Sequence, residues 1–185
     1  MIDTNPQDQR YWVLCFGVSG TGKSSIAKAL ASHLKTTFVE ADEFHSAENI
    51  EKMSKGIGLS DEERKPWLSA LSSHIAQLEQ TTSDRFVCVV ACSALTPSYR
   101  SQLTSLPRSL VVPVFLHASY ALLEQRVLAR SAHFAKVNLL HSQFQTLIPP
   151  SLAEFSLPLI QPDLSLPLSH LVQFILSHPP FASNE

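Results

Sequence analysis

The sequence has no excess of positive charge, no long apolar run and little cysteine. Its formal net charge is −2, and it lacks the basic run expected of a protein that binds nucleic acid broadly. The first nine residues are polar, without the apolar segment of a signal peptide, and runs such as Leu110–Leu116 are too short to span a bilayer. We therefore expect a cytoplasmic protein that binds neither nucleic acid nor a membrane.

The three cysteines are Cys15, Cys88 and Cys92, and each falls within a predicted buried strand. Cys88 and Cys92 share a strand face, but no second Cys/His pair stands at zinc-ligand spacing. We interpret all three as small buried hydrophobic residues in a reducing compartment, and not as metal ligands.

Acidic residues are missing from the centre of the chain. No Asp or Glu occurs between Asp84 and Glu124, so the apolar run Phe86–Cys92 does not end in a carboxylate. Motor ATPases and GTPases usually place an acid at the end of such a strand to hold Mg²⁺. The Asn-Lys-x-Asp motif that reads guanine is also missing. These absences argue against both classes.

The segment GVSGTGKS, residues 17–24, is the most informative one present, because it matches G-x-x-x-x-G-K-[ST] at every position. It lies between an apolar strand pattern and a helical pattern, so its backbone N–H groups and the helix N-terminus can face phosphate oxygens. Lys23 would reach the β- and γ-phosphates, and the Ser24 hydroxyl would ligate Mg²⁺. The predicted nucleotide contacts are Gly17, Val18, Ser19, Gly20, Thr21, Gly22, Lys23, Ser24 and Ser25.

Strand-like and helical patterns alternate along the chain, which predicts crossover connections and a mainly parallel sheet buried on both faces. Ser60 and Glu63 form a capping box, and we expect a break followed by a longer helix that starts at Pro66. The predicted fold is one three-layer α/β/α P-loop domain over residues 1–185, with a flexible N-terminus (1–9) and a loose tail (179–185). The five predicted strands are Tyr11–Phe16, Thr37–Ala41, Phe86–Cys92, Leu110–Leu116 and Leu157–Ile160.

Two acidic residues follow the second predicted strand, at the edge where open α/β sheets bind ligands. Glu40 and Asp42 alternate with Ala41, so both side chains can face the phosphate crevice. Asp42 is the candidate to orient and deprotonate an acceptor hydroxyl, and Glu40 is suited to hold magnesium-bound waters. Either residue taken alone also fits a solvated loop carboxylate.

The second half of the chain supplies Arg126 and Arg130, four residues apart on one predicted helix face. A positive helix end followed by a mobile loop is typical of a lid that closes over ATP, and residues 126–146 form this predicted lid region. We expect Arg126 to contact ATP and Arg130 to act in catalysis. From spacing alone, a solvated basic helix face is an equally good interpretation.

Together these stretches resemble the gluconokinases, sugar-acid kinases with the nucleoside-monophosphate-kinase-like P-loop fold. The resemblance runs in family order from Tyr11 to about Pro150, and the block from Asp42 to Leu68 is far more specific than the P-loop. The stretches that carry it are GVSGTGKS, ADEFHSAENIEKMSKGIGLSDEERKPWL, CSALTPSYR, RVLARSAHF and LLHSQFQTL. The resemblance implies phosphorylation of D-gluconate by ATP with Mg²⁺ in a cytoplasmic homodimer, with a lid and a substrate-binding helical insertion over about residues 43–80.

The resemblance also implies a set of substrate contacts. Carried over by position, these contacts fall on Asp42, His45, Arg64, Arg100, His133 and Gln143. Arg64 and Arg100 are candidates for the gluconate carboxylate, because a planar guanidinium matches the two carboxylate oxygens. His133 and Gln143 match positions of the lid region whose chemical duties the sequence does not define.

The chain departs from the family pattern at several positions. Ser46 stands where the family usually has proline, Glu40 where aspartate is common, and Ile148 where glutamate is typical. Ala132 replaces a lid glycine, and the lost backbone freedom would slow closure of the lid. Beyond Pro150 the resemblance is slight, so no residue is assigned to the adenine.

Three functions therefore compete: a gluconokinase, a kinase of another small hydroxy-acid such as shikimate, and a nucleotide-binding sensor or scaffold with degenerate chemistry. The strand end Cys92-Ser93-Ala94 lacks the glycine triplet that shikimate kinases usually carry there. The complete P-loop and Asp42 argue against a degenerate sensor. The sequence favours the gluconokinase.

Overall fold

The computed structural model describes residues 9–130 and 134–182. Within these ranges, four parallel strands form one sheet in the order β2-β3-β1-β4, and no helix is both long and apolar enough to cross a membrane. The strands are β1 (Tyr11–Phe16), β2 (Thr37–Glu40), β3 (Phe86–Cys92) and β4 (Leu110–Phe115). The α-helices are α1 (Lys23–Leu34), α2 (Ala47–Ser54), α3 (Asp61–Thr81), α4 (Pro97–Leu103), α5 (Tyr120–Arg130), α6 (Phe134–Thr146) and α7 (Leu168–Leu176).

Strand β1 is buried on both of its faces, as the sequence pattern predicted. Trp12, Leu14 and Phe16 lie in an apolar core with α3 to α6, whereas the residues that alternate with them lie in a second core with α1 and α7. Helices therefore cover both faces of a parallel sheet, which explains why its strands are apolar throughout. The predicted three-layer α/β/α fold is confirmed.

The predicted fifth strand contributes only a single parallel bridge, between Ile160 and Val114. The N–H of Phe115 donates to the carbonyl of Ile160 at 2.9 Å, and the N–H of Ile160 donates to the carbonyl of Pro113 at 2.9 Å. Prolines flank this bridge at positions 158 and 162, and a proline cannot donate to a strand ladder. The pairing therefore stops after one residue, and the sheet has four strands and a bridge.

Helix α3 is continuous through Pro66, so the predicted break before this residue is wrong. The capping box is confirmed: the N–H of Glu63 donates to Ser60 Oγ at 3.3 Å, and the N–H of Ser60 donates to Glu63 Oε2 at 2.8 Å. Pro66 has no N–H for the carbonyl of Glu62, but both residues are exposed. Water can replace the missing donor in this first part of the helix, which lowers the cost of the proline.

The end of the described chain is packed against the sheet, so the prediction of a loose tail from Pro179 is wrong as far as Phe181. The ring of Phe181 stacks on Phe86 with 5.3 Å between centroids. Arg85 Nη2 donates to the carbonyl of Pro180 at 3.0 Å. Residues 1–8 of the predicted flexible N-terminus, and residues 183–185, lie outside the described residues.

Candidate active site

The P-loop joins β1 to α1 at the carboxyl edge of the sheet. Gly17 has φ 145°, and a Cβ at this position would stand 2.2 Å from the carbonyl oxygen of Leu116, so only glycine permits this approach to the chain beyond β4. Gly22 is the N-cap of α1 and has no side chain to occupy the first N–H groups of the helix. Those groups are available to an anion, as a phosphate site requires.

The side chain of Lys23 lies along the P-loop. Its Nζ donates to the carbonyl of Val18 at 2.9 Å, and Thr21 Oγ1 donates to the same oxygen at 2.8 Å. The ammonium is therefore held within the loop that would surround the phosphates. This geometry fits the predicted role of Lys23 at the β- and γ-phosphates.

Glu40 lies near this lysine and near Ser24, close enough for both residues to influence its pKa. Burial raises the pKa of Glu40, and the negative charge of Asp42 raises it further, against the hydrogen bond from Ser24 and the charges of Lys23 and Lys28. In the described parts of the chain, no cluster of three or more His, Cys, Asp or Glu side chains could hold a metal. A hydroxyl and a carboxylate fit a magnesium ion that takes its other ligands from phosphate and water.

Asp42 belongs to a short 3₁₀ helix, Ala41–Phe44, that directly follows β2. Its exposed side chain lines a cleft of about 750 Å³ between the P-loop, α2, α5 and α6. A smaller pocket of about 60 Å³ shares Ser19 and Asp42 with this cleft, and His45, Arg64 and Gln143 also line it. Four of the predicted substrate contacts thus meet beside the P-loop. We call this smaller space the acceptor pocket.

Another cavity, of about 850 Å³, lies at the opposite edge of the sheet. It is lined by residues such as Arg10 and Arg108 and by none of the P-loop or acceptor-pocket residues. Its size alone does not make it the active site, because the phosphate-binding loop lies at the other end of the strands.

His45 lines the acceptor pocket and has one buried ring nitrogen, Nδ1. Its ring stacks on Trp67 with 4.2 Å between centroids, and Trp67 Nε1 donates to the carbonyl of Ala41 at 2.7 Å. Among the described residues, His45 Nδ1 has no hydrogen-bond partner. Burial lowers the pKa of the imidazole, with Asp42 opposing and Arg64 adding to the effect. A neutral ring with an unsatisfied nitrogen suits a hydroxyl group of a ligand.

Arg64 reaches the acceptor pocket from the beginning of α3. Its Nη1 donates to the hydroxyl of Tyr99 at 2.9 Å and lies 3.8 Å from Asp61 Oδ1. The Nε and Nη2 groups make no hydrogen bond within the part of the chain that the structure describes. Several guanidinium donors thus remain for a ligand on a side chain that is 13% exposed.

Arg100 does not line the acceptor pocket, which contradicts its predicted contact with a substrate carboxylate. Its side chain is buried, and Nε and Nη2 bind the carboxylate of Glu154. Nη1 donates to the carbonyl of Ala94 at 2.9 Å, and Nη2 donates to the carbonyl of Ile148 at 3.2 Å. The carboxylate that Arg100 binds therefore comes from its own chain. Glu154 was missed because it lies beyond the last recognisable motif.

Gln143 connects the predicted lid region to the P-loop, and Arg126 connects it to the chain segment after the single bridge. Gln143 Oε1 accepts a hydrogen bond from the N–H of Ser19 in the P-loop at 2.7 Å. Arg126 Nη2 donates to the carbonyl of Leu164 at 2.6 Å, in the segment after the single bridge. Arg130 is the last residue of α5, and His133 lies outside the described residues. The roles predicted for Arg126, Arg130 and His133 stay predictions.

Sequence reasoning also missed the side chains that hold the acceptor-pocket residues in place. Trp67 supports His45, and Tyr99 binds Arg64. Both residues lie in the motifs quoted above, PWL and PSYR, but a motif does not show which side chains touch. The residue types were the available signal for these contacts. A buried tryptophan or tyrosine carries one polar atom, which usually needs a hydrogen-bond partner.

Known proteins are similar to this chain in both sequence and fold. A family model described as an AAA domain matches residues 13–148. The probable gluconokinase of Dictyostelium discoideum is 40% identical over 154 residues, which are 82% of this chain and 77% of that protein. The thermoresistant gluconokinase of Escherichia coli (strain K12) is 36% identical over 171 residues, 92% of this chain and 94% of that protein. A crystal structure of a gluconokinase from Sinorhizobium meliloti 1021 matches with a TM-score of 0.76 and 36% identity, over 92% of this chain and 90% of that one.

Proposed function

This chain belongs to the gluconokinase family, and we propose that it phosphorylates D-gluconate with ATP to give 6-phospho-D-gluconate and ADP. The observation that best supports the proposal is the meeting of Asp42, His45 and Arg64 in one pocket that the P-loop residue Ser19 also lines. Phosphoryl transfer from ATP to a polyhydroxy acid can use each of these groups. The loop binds the phosphates, the acid orients the attacking hydroxyl, and the imidazole and guanidinium bind the rest of the acceptor.

The chemistry of the acceptor pocket fits the two ends of gluconate. Arg64 has donors for the carboxylate, and the neutral ring of His45 can bind a hydroxyl along the chain. The pocket, at about 60 Å³, holds only part of such a molecule. The rest would extend past Asp42 and Ser19, which the pocket shares with the larger cleft. This orientation brings the C6 hydroxyl toward the P-loop.

In this arrangement Asp42 orients the C6 hydroxyl and accepts its proton as the hydroxyl oxygen attacks the γ-phosphorus. The bond from the γ-phosphorus to the β–γ bridging oxygen breaks, and ADP leaves. Lys23 and the N–H groups at the start of α1 stabilise the charge on the transferring phosphoryl group. Ser24 and Glu40, the second through water, would hold magnesium, which neutralises charge on the β- and γ-phosphate oxygens when bound.

The remaining parts of the proposal rest on family membership. We infer that residues 126–146 form a lid in which Arg126, Arg130 and His133 approach the nucleotide or substrate during closure. The bond between Gln143 and Ser19 supports a link between this region and the P-loop. We also infer one domain, a homodimer and a cytoplasmic location, with a product that enters the pentose phosphate pathway.

The test is a coupled ADP-release assay with gluconate, its epimers, glucose, shikimate and no acceptor. We expect the wild type to prefer gluconate strongly, because glucose offers no carboxylate to Arg64. Arg64→Ala should lower kcat/KM for gluconate by roughly 2–4 kcal/mol and remove most of the preference over glucose. ATP affinity without an acceptor should be nearly unchanged.

Arg108→Ala is the matched control, because Arg108 is an exposed arginine beside the cavity at the opposite edge of the sheet. Its kinetics should resemble those of the wild type. Equal use of glucose and gluconate by the wild type would overturn the proposal. Faster turnover of shikimate than of gluconate would instead establish the competing hydroxy-acid kinase.

A further inference from the structure

The hydroxyl of Tyr99 lies between an arginine of the acceptor pocket and an aspartate at the start of α3. The hydroxyl donates to Asp61 Oδ1 and accepts from Arg64 Nη1 at 2.9 Å. The guanidinium carbon of Arg64 also lies 5.2 Å from the centre of the Tyr99 ring. Tyr99 is 5% exposed and belongs to α4, so the network joins two helices.

The order of donors and acceptors gives this network a direction. Burial and the hydrogen bond to Asp61 raise the pKa of Tyr99, so its hydroxyl keeps its proton at neutral pH. Because that proton points to Asp61, a lone pair of the same oxygen is left to accept from Arg64. The tyrosine thus determines where one nitrogen of the guanidinium lies.

The direct ion pair between Arg64 and Asp61 is the weaker constraint. Its atoms are 3.8 Å apart, and the Asp61 side chain is 72% exposed, so solvent screens the attraction. The bond from the same nitrogen to Tyr99 is shorter, at 2.9 Å, and its acceptor belongs to a buried side chain. An arginine side chain has considerable rotamer freedom, and fixing it before the substrate arrives removes part of the entropic cost of binding.

We propose that Tyr99 is a positioning residue that holds Arg64 with its remaining donors directed into the acceptor pocket. The inference rests on the proposed function, since it assigns Arg64 to the carboxylate of the acceptor. Tyr99 itself does not line the acceptor pocket. It acts through Arg64, and therefore on the choice of acceptor and not on ATP.

The first test is Tyr99→Phe, which removes only the hydroxyl. We expect the KM for gluconate to rise roughly tenfold, because a displaced guanidinium pairs poorly with the carboxylate, while kcat and ATP affinity change little. The preference for gluconate over glucose should fall by a similar factor. Tyr11→Phe is the control: it removes the same atom from a buried tyrosine that packs on Phe86 at the other edge of the sheet.

The second test is a double-mutant cycle with Arg64→Ala. If Tyr99 acts through Arg64, adding Tyr99→Phe to Arg64→Ala should change kcat/KM for gluconate less than about twofold. An equal loss in both backgrounds would overturn the inference, because the tyrosine would then act by another route. Asp61→Ala, at an exposed position, serves if Tyr99→Phe folds poorly. It frees the tyrosine proton from Asp61 and should raise the KM for gluconate several-fold.

Failure of the inference can be told from failure of the proposed function. A wild type that does not prefer gluconate refutes the function itself. If the wild type prefers gluconate, and both Tyr99→Phe and Asp61→Ala keep the full preference, only the role of Tyr99 is refuted.

Discussion

Replacing Glu154 by alanine should destabilise the fold and leave the acceptor pocket intact. The Arg100 side chain is fully buried, and that of Glu154 is 16% exposed. Removing one partner of a buried ion pair leaves the other charge without compensation, which costs about 3–5 kcal/mol. Arg100 would keep its bonds to the carbonyl oxygens of Ala94 and Ile148. We therefore expect the lower end of that range, about 3 kcal/mol.

This free energy corresponds to a measurable change in melting temperature. For a chain of this size, a loss of 1 kcal/mol lowers Tm by roughly 2–4 °C, so Glu154→Ala should lower it by roughly 6–12 °C. Glu62→Ala is the control, because Glu62 is an exposed residue whose contact with Lys65, at 3.7 Å, is weak. Its Tm should stay within about 2 °C of the wild type.

The assay combines thermal unfolding followed by circular dichroism with kinetics at a temperature where both proteins are folded. The KM for gluconate of Glu154→Ala should lie within about twofold of the wild type, since neither Glu154 nor Arg100 lines the acceptor pocket. An unchanged Tm with a much larger KM for gluconate would refute this reasoning. It would show that Arg100 serves the substrate, as its position in the motif had suggested.

Three further predictions concern individual carboxylates. Asp42→Asn should lower kcat by on the order of a hundredfold or more, with little change in ATP affinity, whereas an equal loss of ATP binding would place Asp42 at the magnesium ion. Glu40 has a raised pKa, so its ionised form destabilises the fold above that pKa and has no such effect below pH 4.5. Glu40→Gln should therefore raise the stability of the nucleotide-free protein at neutral pH but not below pH 4.5, as measured by urea unfolding, and it should lower Mg²⁺-dependent turnover. The hydrogen bond from Lys52, followed in size by the bond from the N–H of Ser60, lowers the pKa of Glu63 to about 2. The ionised Glu63 therefore stabilises the fold fully above pH 4.5, and this stabilisation is lost as the pH falls to about 2. The difference in the free energy of unfolding between wild type and Glu63→Gln should shrink as the pH falls from 4.5 to about 2. A difference that stays constant over this range would show that the Glu63 carboxylate does not stabilise the fold in this way.

The sequence determined the features of this protein that depend on neighbouring residues. Four of the five predicted strands and the P-loop were predictable because alternation, glycine placement and a following helical pattern act over a few residues. The same holds for the capping box at Ser60 and Glu63, which the structure confirms. Glu40 and Asp42 could be placed near the P-loop because parallel strands bring their carboxyl ends to one edge of the sheet.

The tertiary structure decided which of two motif arginines faces the acceptor pocket. Arg64 and Arg100 have the same chemistry, and both match family positions. Arg100 is taken out of the pocket by Glu154, 54 residues away, whereas Arg64 is held at the pocket by Tyr99, 35 residues away. The energy of a charge depends on its burial and on its nearest partner, and long-range packing sets both of these.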